Sequence, residues 1–305
     1  MRYASVLVTY NRKDLLVEAI NSILKQTITP QEVVIVDNNS TDGTREFLEK
    51  KGIFDNSLIK YIKLEENVGG AGGFNAGLEY VRDNLDVDWV SVSDDDAIYK
   101  TDYFEVIAKK SLENVDIKAF AGSVKFPDGE IQIGHRKLFT NHDRYSAENI
   151  SENFYKKDFF LADFASFVGL TISTKLLNKI GLPDKDYFIW FDDFEYGIRI
   201  NKYTKIGVCS NAIIIHKTLK ELHGKKKEMK KVFSWKEYYG IRNRILTIKK
   251  HGTSVGLAVV LIGYILNTAE LIFKRKIEYK SVKEIGIGIK DGIKNVKGKN
   301  KNYLP

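Results

Sequence analysis

A chain of 305 residues can bury one large core, or one core with an appendage, and its 43% hydrophobic and 12% aromatic content is that of an ordinary globular protein. The single cysteine, Cys209, excludes an internal disulfide and suits a reducing compartment. The net charge of +8 is unevenly spread: from Lys217 onward 22 Lys/Arg face 7 Asp/Glu, while the other residues carry 26 against 33, so an acidic body bears a basic tail suited to an anionic surface, lipid or nucleic acid.

Met1 leads directly into a strand-like run, so no signal peptide is expected. The apolar runs at 4–10 (ASVLVTY), 32–38 (EVVIVDN), 59–64 (IKYIKL) and 88–94 (DWVSVSD) read as strands. Between them lie KDLLVEAINSILKQ, STDGTREFLEKKG and GGFNAGLEYVRDNL, whose apolar residues fall three and four apart. Strands alternating with such helices predict a mostly parallel sheet with helices on both faces. STDG places capping residues ahead of a helix.

After residue 118 the alternation loosens. AFAGSVKF, FASFVGLTIS and GVCSNAIIIH read as strands, and 135–160, polar and aromatic without period, reads as a long surface segment. The tail holds KELHGKKKEMKK, then WKEYYGIRNRILTIKKHG, then SVGLAVVLIGYILNTAELIFKRK. Only Val255 to Leu266 is uninterruptedly apolar, against the roughly 20 residues of a spanning helix. The expectation is a helix lying in a membrane interface or against a partner, with Lys274, Arg275 and Lys276 able to meet anionic headgroups, the plainer alternative being a core helix with a solvated basic end. That apolar helix beside the lysines suits lipid better than nucleic acid.

Residues 66–80, ENVGGAGGFNAGLEY, place five glycines in nine positions ahead of a helix. Neither common phosphate template fits. Asn75 stands where a dinucleotide fingerprint needs its third glycine, and no Gly-Lys-Ser/Thr follows.

In an open parallel sheet, ligands bind beyond the carboxyl ends of the strands. Those ends carry Thr9-Tyr10-Asn11-Arg12, Asp37-Asn38-Asn39, the Asn67 glycine loop and Asp94-Asp95-Asp96. In an extended stretch Asp94 and Asp96 point the same way and can converge on one cation, while Asp95 faces elsewhere. Such oxygen ligands suit Mg2+ or Mn2+. His216 ends NAIIIH and is either a satisfied core histidine or a third ligand. A second acidic set lies in YFIWFDDFEYGIRI, residues 187–200. Glu195 has an ordinary role available, pairing with Arg199 at i,i+4. Asp192 and Asp193, framed by Trp190, Phe191 and Phe194, include a candidate base for a hydroxyl proton.

This set of segments resembles the family 2 glycosyltransferases with a GT-A fold, over roughly residues 3–216. The glycine loop and the WFDDFE segment look like the galactofuranosyltransferase branch. The resemblance implies that Thr9, Tyr10, Arg12 and Asp37 hold the uridine of a sugar nucleotide, with Asp95 also on the nucleotide side. Asn67 and the glycines Gly69, Gly70 and Gly72 would line the diphosphate and sugar, approached closely because they lack side chains. Asp94, Asp96 and His216 would bind the divalent cation. Asp193 would be the general base, with Asp192 beside it and Trp190 at the acceptor wall. One base and no protein nucleophile implies inversion.

The expected organisation is a GT-A nucleotide-sugar transferase domain at 1–218 and a basic, helical, membrane-associating region at 219–305. The expected activity moves galactofuranose from UDP-galactofuranose onto a lipid-linked glycan, one or a few sugars at a time, at the cytoplasmic face of the cell membrane. A rhamnosyltransferase using dTDP-rhamnose would share the scaffold. A glycoside hydrolase would need neither metal nor nucleotide, and a catalytically dead binding protein would not need all these acids.

Overall fold

In the computed structural model, which describes residues 1–218 and 233–305, the four early strands form and pair in parallel. They are β1 (Tyr3–Thr9), β2 (Glu32–Asp37), β3 (Ile59–Lys63) and β4 (Trp89–Asp94), separated by α1 (Lys13–Leu24), α2 (Thr44–Lys50) and α3 (Gly69–Asn84). Their side chains alternate between two cores, as pleated strands covered on both faces require. Val6, Val8, Val34 and Val36 pack with Phe74, Leu78 and Val81 of α3. Tyr3, Leu7, Val33 and Ile35 pack with Leu16, Ala19, Ile20 and Ile23 of α1.

The chain continues through β5 (Ala97–Tyr99), α4 (Tyr103–Glu113), β6 (Ala119–Lys125), β7 (Arg136–Asn141), β8 (Ser146–Asn149), β9 (Phe159–Ala162), β10 (Phe164–Ala165), β11 (Leu170–Ser173), α5 (Thr174–Ile180), α6 (Asp192–Asn201) and β12 (Ile206–His216). Among the described residues the main sheet has nine strands in the order β3-β2-β1-β4-β11-β6-β12-β5, with β9 also beside β12. β11 is antiparallel to β4 and β6, and β12 returns parallel to β6, so six of the nine strands share one direction. A register shift between Cys209 and Ile213 lets β12 pair β9 with its first half and β5 with its second. The shift brings His216 to the ligand edge, beside Ala97.

Three local expectations change. The 135–160 segment is structured: β7 pairs with β8 and β10 in a separate small sheet. It is pinned by Arg136, wholly buried, which donates to the carbonyls of Gly122 (3.0 Å), His135 (2.8 Å) and Val168 (2.9 Å). FASFVGLTIS splits into β10 and β11, which belong to different sheets. The STDG residues give α2 no side-chain cap; Gly43, at φ 77°, precedes the helix, and Asp42 accepts from Lys13 N (3.3 Å) and the Thr44 hydroxyl (2.5 Å).

The tail contributes α7 (Trp235–His251), α8 (Ser254–Phe273) and α9 (Tyr279–Ile293). The lysine-rich stretch 220–231 lies outside the described residues. Ser234 and Glu237 form a capping box at the start of α7. Tyr238, Tyr239 and Tyr303 cluster with Phe188, joining the tail to the body. α8 runs through Asn267, Thr268 and Glu270 and is longer than its uninterrupted apolar run. Its 20 residues, with an 18-residue window of mean hydropathy 2.0, are long and apolar enough to cross a membrane, and Val255, Ile262, Ile265, Leu266 and Phe273 are exposed.

Candidate active site

The strand ends, the turn before α6 and the start of α7 enclose a cleft of about 1060 Å³. Every expected site residue lines it except Asp37 and Gly72. Asp37 is buried beneath the wall, accepting from the Tyr61 hydroxyl and from Ser40 N (2.7 Å). Gly72 faces the Val68 side chain within α3. Asn38 lines the cleft instead and ties down the glycine loop, donating to Gly69 O (2.8 Å) and accepting from Val68 N (3.0 Å).

The glycines serve packing as well as access. Gly69 has φ +75°, and a Cβ there would fall 2.0 Å from Phe188 O. Gly73 and Gly77 let α3 lie close on Val8 and Val6, while only around Gly70, of those lining the cleft, is there open space.

One ligand atom each of Asp94, Asp96 and His216 lie within 4.8 Å of one another. Gln132 Nε2 donates to His216 O (3.2 Å), which fixes its Oε1 as the acceptor facing His216 Nδ1 (3.0 Å). Nδ1 therefore carries a proton, and Nε2 faces Asp96 Oδ1 at 3.0 Å. Among the described residues that oxygen has no hydrogen-bond partner. An unprotonated Nε2 would face that oxygen as a second acceptor, a pairing that a cation between them would relieve, so the donor set fits a divalent ion.

Thr9 donates to Asp95 Oδ2 (2.7 Å), and Arg12 Nη1 lies 3.3 Å from Asp95 Oδ1 and 2.8 Å from Asp96 Oδ2. Asp95 and Asp96 lie in the turn between β4 and β5 rather than in extended strand, and Arg12 bridges the two carboxylates. Burial and then repulsion from Asp96 and Asp95 push Asp94 up to about 8. Burial raises Asp95 to about 6. For Asp96 burial is outweighed by His216 and Arg12, which hold it below the ordinary carboxylate value.

Ahead of α6, Phe188 (φ 64°), Trp190 (63°) and Phe191 (69°) are all left-handed without a glycine among them. This turn delivers Asp192 and Asp193 to the first turn of α6. Asp192 is buried and raised to about 8, by burial and then by Asp193. Burial also raises Asp193, to about 6, against the pull of Phe194 N–H and Lys137. Both members of this buried pair are thus held above the ordinary carboxylate value, so the pair titrates as a unit closer to neutral pH than free carboxylates do. Glu195 takes its ordinary role and more: wholly buried, it meets Arg199 (2.9 Å), His251 (2.7 Å) and Lys250 (3.0 Å), which outweigh burial and lower it to about 2.

His135 just ahead of β7, Lys137 in β7, and Trp235, Lys236 and Arg244 from α7 line the same cleft. Sequence reasoning passed over them because they lie in a segment without period and in a tail read for its charge.

The sequence profile described as Glycosyl transferase family 2 matches residues 5–172. Over 216 residues the chain is 26% identical to the galactofuranosyltransferase GlfT1 of Mycobacterium tuberculosis H37Rv, covering 70% of this chain and 69% of that one. It is 24% identical over 189 residues to the Escherichia coli UDP-Glc:alpha-D-GlcNAc-diphosphoundecaprenol beta-1,3-glucosyltransferase WfgD, covering 61% and 66%. Against four other relatives, 28–33% identical over shorter stretches, the chain spans half of their own length or less. Among solved structures, Staphylococcus aureus TarS 1–349 in complex with UDP-GlcNAc superposes with TM-score 0.60 at 19% identity, over 97% of this chain and 82% of that one.

Proposed function

We propose a donor, an acceptor and a mechanism for this chain, which belongs to glycosyl transferase family 2. It moves galactofuranose from UDP-galactofuranose to a hydroxyl of a lipid-linked glycan, with inversion, in building a bacterial cell-surface polysaccharide. The observation that carries this reading is one cleft shared by the Asp94/Asp96/His216 cluster and the Asp192/Asp193 pair. The donor is supported by likeness to a galactofuranosyltransferase over 70% of the chain, and the acceptor by the diphosphoundecaprenol-linked sugar in the E. coli relative's name.

Thr9, Tyr10, Arg12 and Asp95 would meet the uridine end, with Asp37 supporting it from beneath, and Asn67, Gly69 and Gly70 the diphosphate and sugar. A divalent cation, Mn2+ or Mg2+, held by Asp94, Asp96 and His216 would supply Lewis-acid neutralisation of the departing diphosphate. Asp193 takes the proton of the acceptor hydroxyl as its oxygen bonds to the anomeric carbon, and the bond to UDP breaks on the opposite face. Trp190 walls the acceptor side.

The test is turnover of UDP-galactofuranose, UDP-galactopyranose, UDP-glucose and dTDP-rhamnose, each with Mn2+ and with EDTA. The expected result is metal-dependent turnover of UDP-galactofuranose alone. Turnover of another sugar nucleotide would keep the mechanism and remove the donor.

Residues 219–305 form, in this reading, a region that holds the enzyme peripherally on the cytoplasmic face of the membrane, with no role toward nucleic acid. The exposed apolar side of α8 and the adjoining Lys274, Arg275 and Lys276 support it. Changing those three together to Gln should weaken co-sedimentation with phosphatidylglycerol vesicles about a hundredfold, at about 1 kcal/mol per cation. Binding to phosphatidylcholine vesicles should change little, and equal losses on both lipids would count against the basic cluster.

A further inference from the structure

We infer that α7 positions the acceptor wall of the cleft by seating Trp190, so that Gly240, Arg242 and Asn243 are positioning residues for transfer. The inference rests on the acceptor-side role proposed for Trp190, and three observations on α7 carry it.

The turn holding Trp190 is strained. Phe188, Trp190 and Phe191 all adopt left-handed backbone, which bulky residues keep only when their surroundings over-determine it. α7 supplies those surroundings. Asn243 is wholly buried, and its Nδ2 lies 2.8 Å from Tyr187 O, 3.0 Å from Ile189 O and 2.8 Å from Trp190 O. Arg242, also wholly buried, places Nη2 3.1 Å from Asp186 O and 3.2 Å from Tyr187 O. Carbonyls displaced by the strained turn thus find their donors on one helix. On the opposite side Ala71 N donates to Phe188 O (3.1 Å), so the turn is held between the glycine loop and α7.

The ring is seated as well as the backbone. Trp190 is 44% exposed and lines the cleft, with its indole against the bare backbone of Gly240. A Cβ on Gly240 would come 3.0 Å from the ring's Cε3 and 3.4 Å from Cζ3. Gly240 and Asn243 lie three residues apart, on one face of the helix. Trp235, Lys236 and Arg244 of α7 line the same cleft, so the helix that sets the ring also faces what the ring would touch.

Gly240→Ala separates positioning from folding. Alanine is the better helix former, so the melting temperature should not fall, while the indole must give way. In the full-length protein, UDP affinity should stay within about twofold of wild type, as for a distant site. The acceptor KM should rise about tenfold, and more with Gly240→Leu, while Asn243→Ala should lower the transfer kcat about a hundredfold. Fluorine spectra of 5-fluorotryptophan-labelled protein read the seat without turnover: the Trp190 resonance, assigned with Trp190→Phe, should move in Gly240→Ala while that of Trp89 stays. An unmoved resonance, or a moved one with an unchanged acceptor KM, overturns the inference. A moved resonance in a protein whose wild type transfers nothing would fail the functional reading and support the seat.

Discussion

Asp193→Asn should lower transfer about a thousandfold while leaving UDP affinity within about twofold. The amide keeps the size of the side chain and its oxygen can still accept from Phe194 N, 2.7 Å away in the wild type, so what is lost is the capacity to take a proton. The pH profile gives the sharper form. Burial raises Asp193 to about 6, so it is ionised only above that value. The rate of the wild type should therefore rise with pH through about 6 and level off, and Asp193→Asn should show no such limb. Lys137 holds Asp193 down, so Lys137→Met should move the limb to higher pH. Stability follows with its own sign. A carboxyl whose folded value lies above its unfolded one favours the protonated native state, so stability falls as pH rises from the ordinary carboxylate range to about 6. Asparagine removes that loss, and the variant should melt no lower than wild type at pH 7. A variant that melted lower and lost UDP affinity in step with its activity would show unfolding and leave Asp193 without a chemical role.

What could be read from the chain, and what could not, divides along physical lines. The first four strands and their helices were legible because each buries both faces, leaving continuous apolar runs between helices of clear period. The acids at the ends of β4 and at the start of α6 stood out because clustered charge beside apolar strands or aromatics is costly unless used. Arg136 gave no signal, since a buried cation paid for by carbonyls has the same letter as a solvated one. Asn38 and Gln132 act through backbone and imidazole partners far away in the chain, and no local pattern encodes a partner 84 residues off. The tail was read for charge and hydropathy, which describe α8. They are blind to Gly240 and Asn243, whose importance lies in what their backbone and amide touch.

The metal cluster yields two separate shifts in melting temperature. Chelated wild type should melt higher on adding Mn2+, since an ion bound only by the native state stabilises it by about 2.7 kcal/mol at a hundred times its Kd. His216→Ala should abolish that rise. Gln132→Leu should weaken metal binding by about ten- to a hundredfold, because the nearer of the two partners that orient His216 through Nδ1 is then lost, leaving Thr218 at 3.3 Å. Asp94→Asn moves the metal-free baseline itself. In the chelated protein Asp94 is raised by burial and by the charges of Asp96 and Asp95, so it is a carboxylate the fold would rather not ionise. Replacing it with the neutral amide should raise the melting temperature of the metal-free protein and erase the Mn2+ increment, both read in one thermal titration. A ligand selected for a cation behaves in this way, since the repulsion it brings to the empty cluster is offset only when the ion arrives. A metal-free Asp94→Asn protein that melted lower, with the Mn2+ increment intact, would make Asp94 a structural residue and move the ion elsewhere.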